Sequence, residues 1–153
     1  MRLSLRGEYA LRALIDLGLN YNENVVRIQA ISKRQSIPQR FLEQILNDLK
    51  SGGFVESKRG VAGGYRLARP PEELGLAAVV RHVEGALAPL NSGSKRSSRG
   101  RTGPNEASWV IGNLMEEVRG AIVKTLEQVT VADLCERARR LSSERGVSLD
   151  YDI

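Results

Sequence analysis

A mainly α-helical fold with one small β-hairpin and one long helix in its C-terminal half is what this sequence predicts. Three observations carry that reading. Apolar residues recur at three- and four-residue steps through most of the 153-residue chain. A glycine-rich basic segment, 59–64, separates two short runs suited to strands. From 105 to about 128, the residues Ala107, Ile111, Leu114, Val118, Ile122 and Leu126, continued by Val129, mark one uninterrupted helical stripe.

The elements follow in order. Leu3, Leu5, Tyr9, Leu11, Leu14, Ile15, Leu17 and Leu19 predict a first helix, with Ser4 as its cap and Gly18 and the 20–24 polar cluster as its end. Val26, Ile28, Ala30 and Ile31 predict a short second helix. Ser36 suits an N-cap and Pro38 a first turn, where its missing N–H costs nothing. The third helix then has a core-facing stripe of Phe41, Leu42, Ile45, Leu46 and Leu49, stopped by Gly52 and Gly53. Residues 54–58 and 65–68 read as the two strands of a hairpin. Leu76, Val79, Val80 and Val83 mark a fourth helix closed by Gly85. Residues 86–104, with three glycines, two prolines and five hydroxyl side chains, read as a loop. A last helix runs from Val131 to about Ser143.

Two short helices joined by a tight turn, then a glycine-rich hairpin, describe a winged helix-turn-helix over residues 1–69. Residues 70–104 add a helix and a basic loop, and 105–153 a long dimerisation helix and a C-terminal helix. The expected dimer rests on Ile111, Leu114, Val118, Ile122 and Leu126, a stripe that one small domain cannot bury alone.

Charge is distributed unevenly. The net charge is +5, yet residues 1–69 carry twelve Lys/Arg against six Asp/Glu, and residues 91–104 carry four basic residues and no acid. Residues 105–153 are acidic, with nine Asp/Glu against six Lys/Arg. A basic head on a more neutral body suits a polyanion partner. No run reaches the roughly 20 apolar residues of a membrane span, and Arg2, Arg6, Glu8 and Arg12 interrupt any signal-peptide pattern, so a cytoplasmic protein is expected. One cysteine excludes an internal disulfide. One histidine, one cysteine and no phosphate loop or nucleophile motif leave no basis for an enzyme.

The candidate site is a DNA face. On the third helix, Gln39, Arg40, Glu43, Gln44 and Asn47 lie opposite the apolar stripe. Arg and Gln have the fork geometry that reads guanine and adenine edges, and Glu43 can accept from cytosine. Ordinary polar surface residues would look the same. The hairpin favours the DNA face, because Lys58, Arg59 and Arg66 flank Gly60, Gly63 and Gly64, and a plain tight turn would explain the glycines but not the flanking charges. Glycine permits a close backbone approach, and an arginine at the tip suits the negative potential of a narrow minor groove. Arg2, Arg6 and Lys58 are placed for phosphates. The expected partner is double-stranded DNA; RNA binding through the same winged domain stays open, with single-strand stacking disfavoured by the scarcity of aromatics.

These residues also carry a resemblance. Residues 1–4 with 9–14, Ile37-Pro38 before 41–46, Arg59-Gly60 through Gly63-Gly64-Tyr65, then 67–68, 70–73 and 83–85 resemble the IscR/NsrR/CymR group of bacterial regulators, the Rrf-two family. The likeness is continuous over residues 1–85 and weaker through the long helix, where Trp109 stands at a position the family often fills with tryptophan. It implies a dimer whose long helices pair, bound as a repressor or dual regulator to a pseudo-palindromic operator. It places Glu43 and Gln44 on the recognition helix and Arg59 on the minor-groove wing.

The sequence departs from the family where many members carry three cysteines for an iron–sulfur cluster. Its 91–104 loop has neither Cys nor His. Ser92 and Ser98 stand at a spacing the family gives to cysteines, with no serine at the third place, and a serine hydroxyl does not replace a soft thiolate. Glu106 occupies the place of a fourth ligand in some members, and Glu8 is present, but position 12 is Arg. The expectation is therefore no metal and no cofactor. Cys135 is read as a packing residue and His82 as a surface or core-edge residue. The signal is left among a small molecule, a protein partner and the protein's own abundance. A regulator controlled by binding a metabolic enzyme is the competing reading.

Overall fold

The computed structural model describes residues 2–85 and 104–146. Most of the predicted loop, including Ser92 and Ser98, lies outside them. The described residues form α1 (Leu5–Leu19), α2 (Ile28–Gln35), α3 (Gln39–Ser51), β1 (Val55–Lys58), β2 (Gly64–Leu67), a single 3-10 turn (Pro71–Glu73), α4 (Leu76–Glu84), α5 (Glu106–Glu127) and α6 (Val131–Glu144).

Local chemistry starts and stops these helices as polar caps should. Ser4 accepts from the Gly7 N–H at 3.0 Å to open α1. Asn105 accepts from Ser108 to open α5, and Thr130 with Asp133 forms a reciprocal capping box on α6. Gly53 and Gly85 take the positive φ angles that follow α3 and end α4.

Three local readings change. Val26 is not helical. It is extended and exchanges backbone hydrogen bonds with Tyr65 at 2.7 and 2.8 Å, adding a short third rung to the wing. Ser36 does not cap α3. It ends α2 in the left-handed conformation, φ 53°, while the Ser32 hydroxyl donates to the Ile37 carbonyl at 2.6 Å, and Pro38 takes the N-cap place. Gly18 does not stop α1. It is buried within it, and a Cβ there would lie 2.5 Å from the Cys135 sulfur, so its missing side chain lets α6 pack on α1.

The core gathers Ala10, Leu14 and Leu17 of α1 with Ile31, Ile37, Leu42, Leu46 and Leu49 of the helix-turn-helix. Val55 and Leu67 of the hairpin close one side, and Val131 and Cys135 of α6 another. A chain that departs along α5 thus returns to the head through α6. Asp16 of α1 is fully buried. It accepts from Arg34 Nε at 3.0 Å and Nη2 at 2.8 Å, and from Gln35 Nε2 at 3.0 Å. This fork-to-fork pairing sets the placement of α2 on α1.

A smaller cluster, Leu76, Val80 and Val129, packs with Leu11 and with Ile122, Val123 and Leu126 at the C-terminal end of α5. Backbone bonds from Leu76 to Val129 and from Val131 to Leu74 fix this junction at 2.8 and 2.9 Å. None of the 22 residues of α5 is buried. Val110, Ile111, Leu114, Met115 and Val118 form a stripe whose members are 43% to 66% exposed. The predicted stripe therefore divides in two. Ile122 and Leu126 lean on the chain's own head, whereas Ile111, Leu114 and Val118 join no core cluster among the described residues.

Candidate nucleic-acid interface

The third helix presents one buried apolar face and an exposed polar one. Leu42, Ile45, Leu46 and Leu49 are buried, and Gln39, Arg40, Glu43, Gln44 and Asn47 are exposed. Phe41, expected in the core stripe, is 56% exposed instead. It stands one turn ahead of Ile45 but rotated toward α1, where it lines an apolar hollow of about 140 Å³ with Leu5, Tyr9 and Gln44. Sequence periodicity over-assigned it because an i, i+1, i+4, i+5 stripe is wider than the face that meets the core.

The opposite flank of α3 faces the wing. The hairpin is antiparallel, with Val55 opposite Leu67 and Lys58 opposite Gly64, and an Arg66–Glu56 ion pair at 3.0 Å spans it. Between the wing, the start of α2 and the end of α3 lies a cleft of about 430 Å³. Arg27, Lys50, Lys58 and Arg59 line it, and no acidic residue does. Lys58 and Arg59 are exposed and have no ion-pair partner among the described residues. Glu43 sits near Tyr65, whose phenol is pushed up first by burial and then by that carboxylate.

The wing glycines serve the hairpin itself. Gly60 adopts φ +110°, closed to most L side chains, and accepts from the Gly63 N–H at 2.9 Å. A Cβ on Gly64 would lie 2.4 Å from the Val26 carbonyl oxygen, so this glycine allows the extra rung. A Cβ on Gly63 would likewise lie 2.3 Å from the Lys58 carbonyl oxygen, so both glycines are needed within the hairpin itself.

On the α1 side, Arg2 is exposed, but Arg6 pairs with Asp48 at 3.0 Å. Asp48 also draws in His82, whose Nε2 lies 2.8 Å from the Asp48 carbonyl and whose ring stands edge-on to Phe54. His82 is thus a packing and hydrogen-bonding residue between α4 and α3. Sequence reasoning missed Arg27, Lys50 and Asp48 as participants. Arg27 precedes a helix and Lys50 ends one, positions that carry no composition signal of their own.

Over all these residues the arrangement is that of a winged helix-turn-helix with a polar recognition helix and a basic wing whose Lys58 and Arg59 are exposed. Comparison with known proteins gives the same answer. The model of the Rrf2 family, described as iron-dependent transcriptional regulators, matches residues 3–137. This chain belongs to the Rrf2 family. It resembles the HTH-type transcriptional regulator IscR of Cereibacter sphaeroides, 32% identical over 142 residues, covering 92% of this chain and 90% of that one. Among solved structures, IscR of T. potens superposes with a TM-score of 0.73 at 28% identity, over 99% of this chain and 95% of that one. CymR, described as the global cysteine regulator of B. subtilis, gives a TM-score of 0.74 at 25% identity, over 90% and 98% of the two chains. As an Rrf2 regulator, the chain is a DNA-binding transcriptional regulator and not an enzyme. No described helix is long and apolar enough to cross a membrane.

The family description names iron, and the donors of this chain do not suit an iron–sulfur cluster. Its single thiol, Cys135, is 2% exposed in the core, donates toward the Ile15 carbonyl at 3.6 Å, and is pushed up to about 11, chiefly by burial. Cluster iron needs several thiolates, or imidazoles in their place. The single imidazole, His82, is engaged with Asp48. Among the described residues no three His, Cys, Asp or Glu side chains converge.

Proposed function

We propose that this Rrf2 regulator works in the cytoplasm as a homodimeric repressor that binds a pseudo-palindromic operator and carries no iron–sulfur cluster. The observation that supports the dimer most directly is the α5 stripe. Five large apolar side chains stand in water on one helix, next to a head whose own core is closed. A contiguous apolar patch of this kind calls for a partner, and a second copy meets it with an identical stripe across a two-fold axis. Two heads related by that axis would meet two half-sites of opposite orientation. Arg40, Glu43 and Gln44 would then read the major groove, with Gln39 beside them and Asn47 toward the wing. Arg59 would enter the minor groove, and Arg2 and Lys58 would hold phosphates. A dimer seated on a promoter denies that DNA to other proteins, so repression is the simplest output. The absent thiolates support the cluster-free reading.

The test combines mass, DNA binding and colour. Leu114→Glu with Val118→Glu should convert dimers to folded monomers in light scattering and abolish binding to the operator. An unchanged mass counts against the dimer. A monomeric wild-type protein whose stripe is covered only after a foreign protein is added would favour the partner-controlled reading. Protein purified without oxygen should be colourless, and stoichiometric iron with a visible absorption band would overturn the cluster-free proposal.

A further inference from the structure

The wing has little of its own to hold it still. Each strand is four residues long, and a two-stranded ribbon of that size is marginal by itself. Val61 at its tip is 94% exposed, so no core restrains that end. Two side chains reach it from the helix-turn-helix. From the residue that caps α2, Arg27 Nη2 donates to the Val61 carbonyl oxygen at 2.9 Å, across 34 positions of sequence. From the last turn of α3, Lys50 Nζ donates to the Ser57 hydroxyl at 2.6 Å on β1. One tie holds the turn and the other the tip-side half of β1, and both cations line the basic cleft.

Both anchors are rigid. Arg27 follows directly on Val26, which is fixed to Tyr65 by two backbone bonds, and Lys50 belongs to the recognition helix itself. Each tie has a charged donor, the stronger class of hydrogen bond. We infer that Arg27 and Lys50 are positioning residues for DNA recognition: they clasp the wing at a set distance from α3. Arg59 is thereby held in register with Arg40, Glu43 and Gln44, so that minor-groove and major-groove contacts form together. The inference rests on the proposed reading in which the wing enters the minor groove. The competing role for these cations is direct neutralisation of phosphates, and the two roles differ in what salt does.

The experiment uses the full chain and a randomised operator pool, with affinity measured at several salt concentrations. Arg27→Met and Lys50→Met keep most of each stem and remove the donor. Arg27→Lys keeps a charged donor, and Arg59→Ala reports on the wing reading itself. Arg27→Met should lower base preference at the wing-covered positions by about 2- to 12-fold per half-site, the worth of one hydrogen bond. Preference at the positions read by α3 should stay, melting temperature should hold, and amides 60–64 should exchange faster. Lys50→Met should act in the same direction, and Arg27→Lys should recover part of the lost preference. The salt slope should move by much less than the roughly 0.9 expected for one lost phosphate contact. A uniform loss of affinity with a full slope change would overturn the clasp and make these residues phosphate contacts. If Arg59→Ala erases the wing preference and Arg27→Met does not touch it, the clasp alone falls. If Arg59→Ala also leaves it intact, the minor-groove reading falls, and the clasp with it.

Discussion

Helices α3 and α5 are both amphipathic, and the chain treats them in opposite ways. In 13 residues α3 buries Leu42, Ile45, Leu46 and Leu49, and α5 buries none of its 22. The difference lies in what is opposite. The apolar side of α3 faces α1, α2 and the hairpin, all contributed by the same chain. Among the described residues, the apolar side of α5 packs on its own chain near Ile122, Val123 and Leu126, and upstream of these its large side chains are exposed. An apolar stripe says that a helix needs a partner and is silent about which molecule supplies it.

Four measurements would break or sharpen that contrast. The largest effect should come from the buried carboxylate that fixes the head. Asp16→Ala leaves Arg34, a group with little exposure, without its carboxylate, at an expected cost of about 3–5 kcal/mol. Denaturant titration reads this directly, and a loss below about 1 kcal/mol would mean that Asp16 does not organise α1 against α2.

Next, Leu46→Ala should cost about 2–5 kcal/mol, the usual penalty for emptying a closed core site. Leu114→Ala, on α5, should do something different. Its effect on melting should grow as the protein is diluted, because a dimer's stability depends on concentration. If both variants respond to dilution alike, the two helices do not differ in which molecule covers them.

On the DNA face, Arg59→Ala should cost about 1–3 kcal/mol per half-site, the range of a good groove contact. Lys58→Ala should lower the salt slope by about 0.9 per half-site while leaving base preference alone. Arg6→Ala should lower it less, since Asp48 already balances Arg6 at 3.0 Å. Equal slopes for Lys58 and Arg6 variants would show that the Arg6–Asp48 pair opens on DNA.

The smallest effect concerns Cys135. Its folded thiol ionises near 11 rather than 9 because burial disfavours the thiolate. The folded state therefore keeps a proton that the unfolded state has begun to lose above pH 9. Stability from this group is whole below pH 9 and declines as pH rises through 11. Cys135→Ala should lose that part of the alkaline decline while keeping the rest. At pH 8 the native thiol should alkylate far more slowly than the unfolded one.

Much of this was legible in the residues themselves. Periodicity located six helices and one hairpin, because buried faces repeat at 3.6 and 2 residues. The cap at Ser4 was legible because a helix end needs a short polar side chain at one defined place. The exposed set from Gln39 to Asn47 followed from the same wheel, read on its polar side. What the sequence could not decide were the matters of approach between distant segments. Phe41 has the composition of a core residue and became exposed because α1 does not close over it. Gly18 reads as a terminator, yet its bare Cα admits Cys135, 117 residues away, and the bare Cα of Gly64 admits the Val26 carbonyl, 38 residues away, which no local pattern announces. Val26 left its helix to pair with Tyr65, and Arg27 reached the tip of the wing, because the tertiary fold brought those strands within hydrogen-bonding distance. Local patterning specifies which side of each element avoids water. The three-dimensional packing alone determines which side chains, from which distant part of the chain, arrive to meet it.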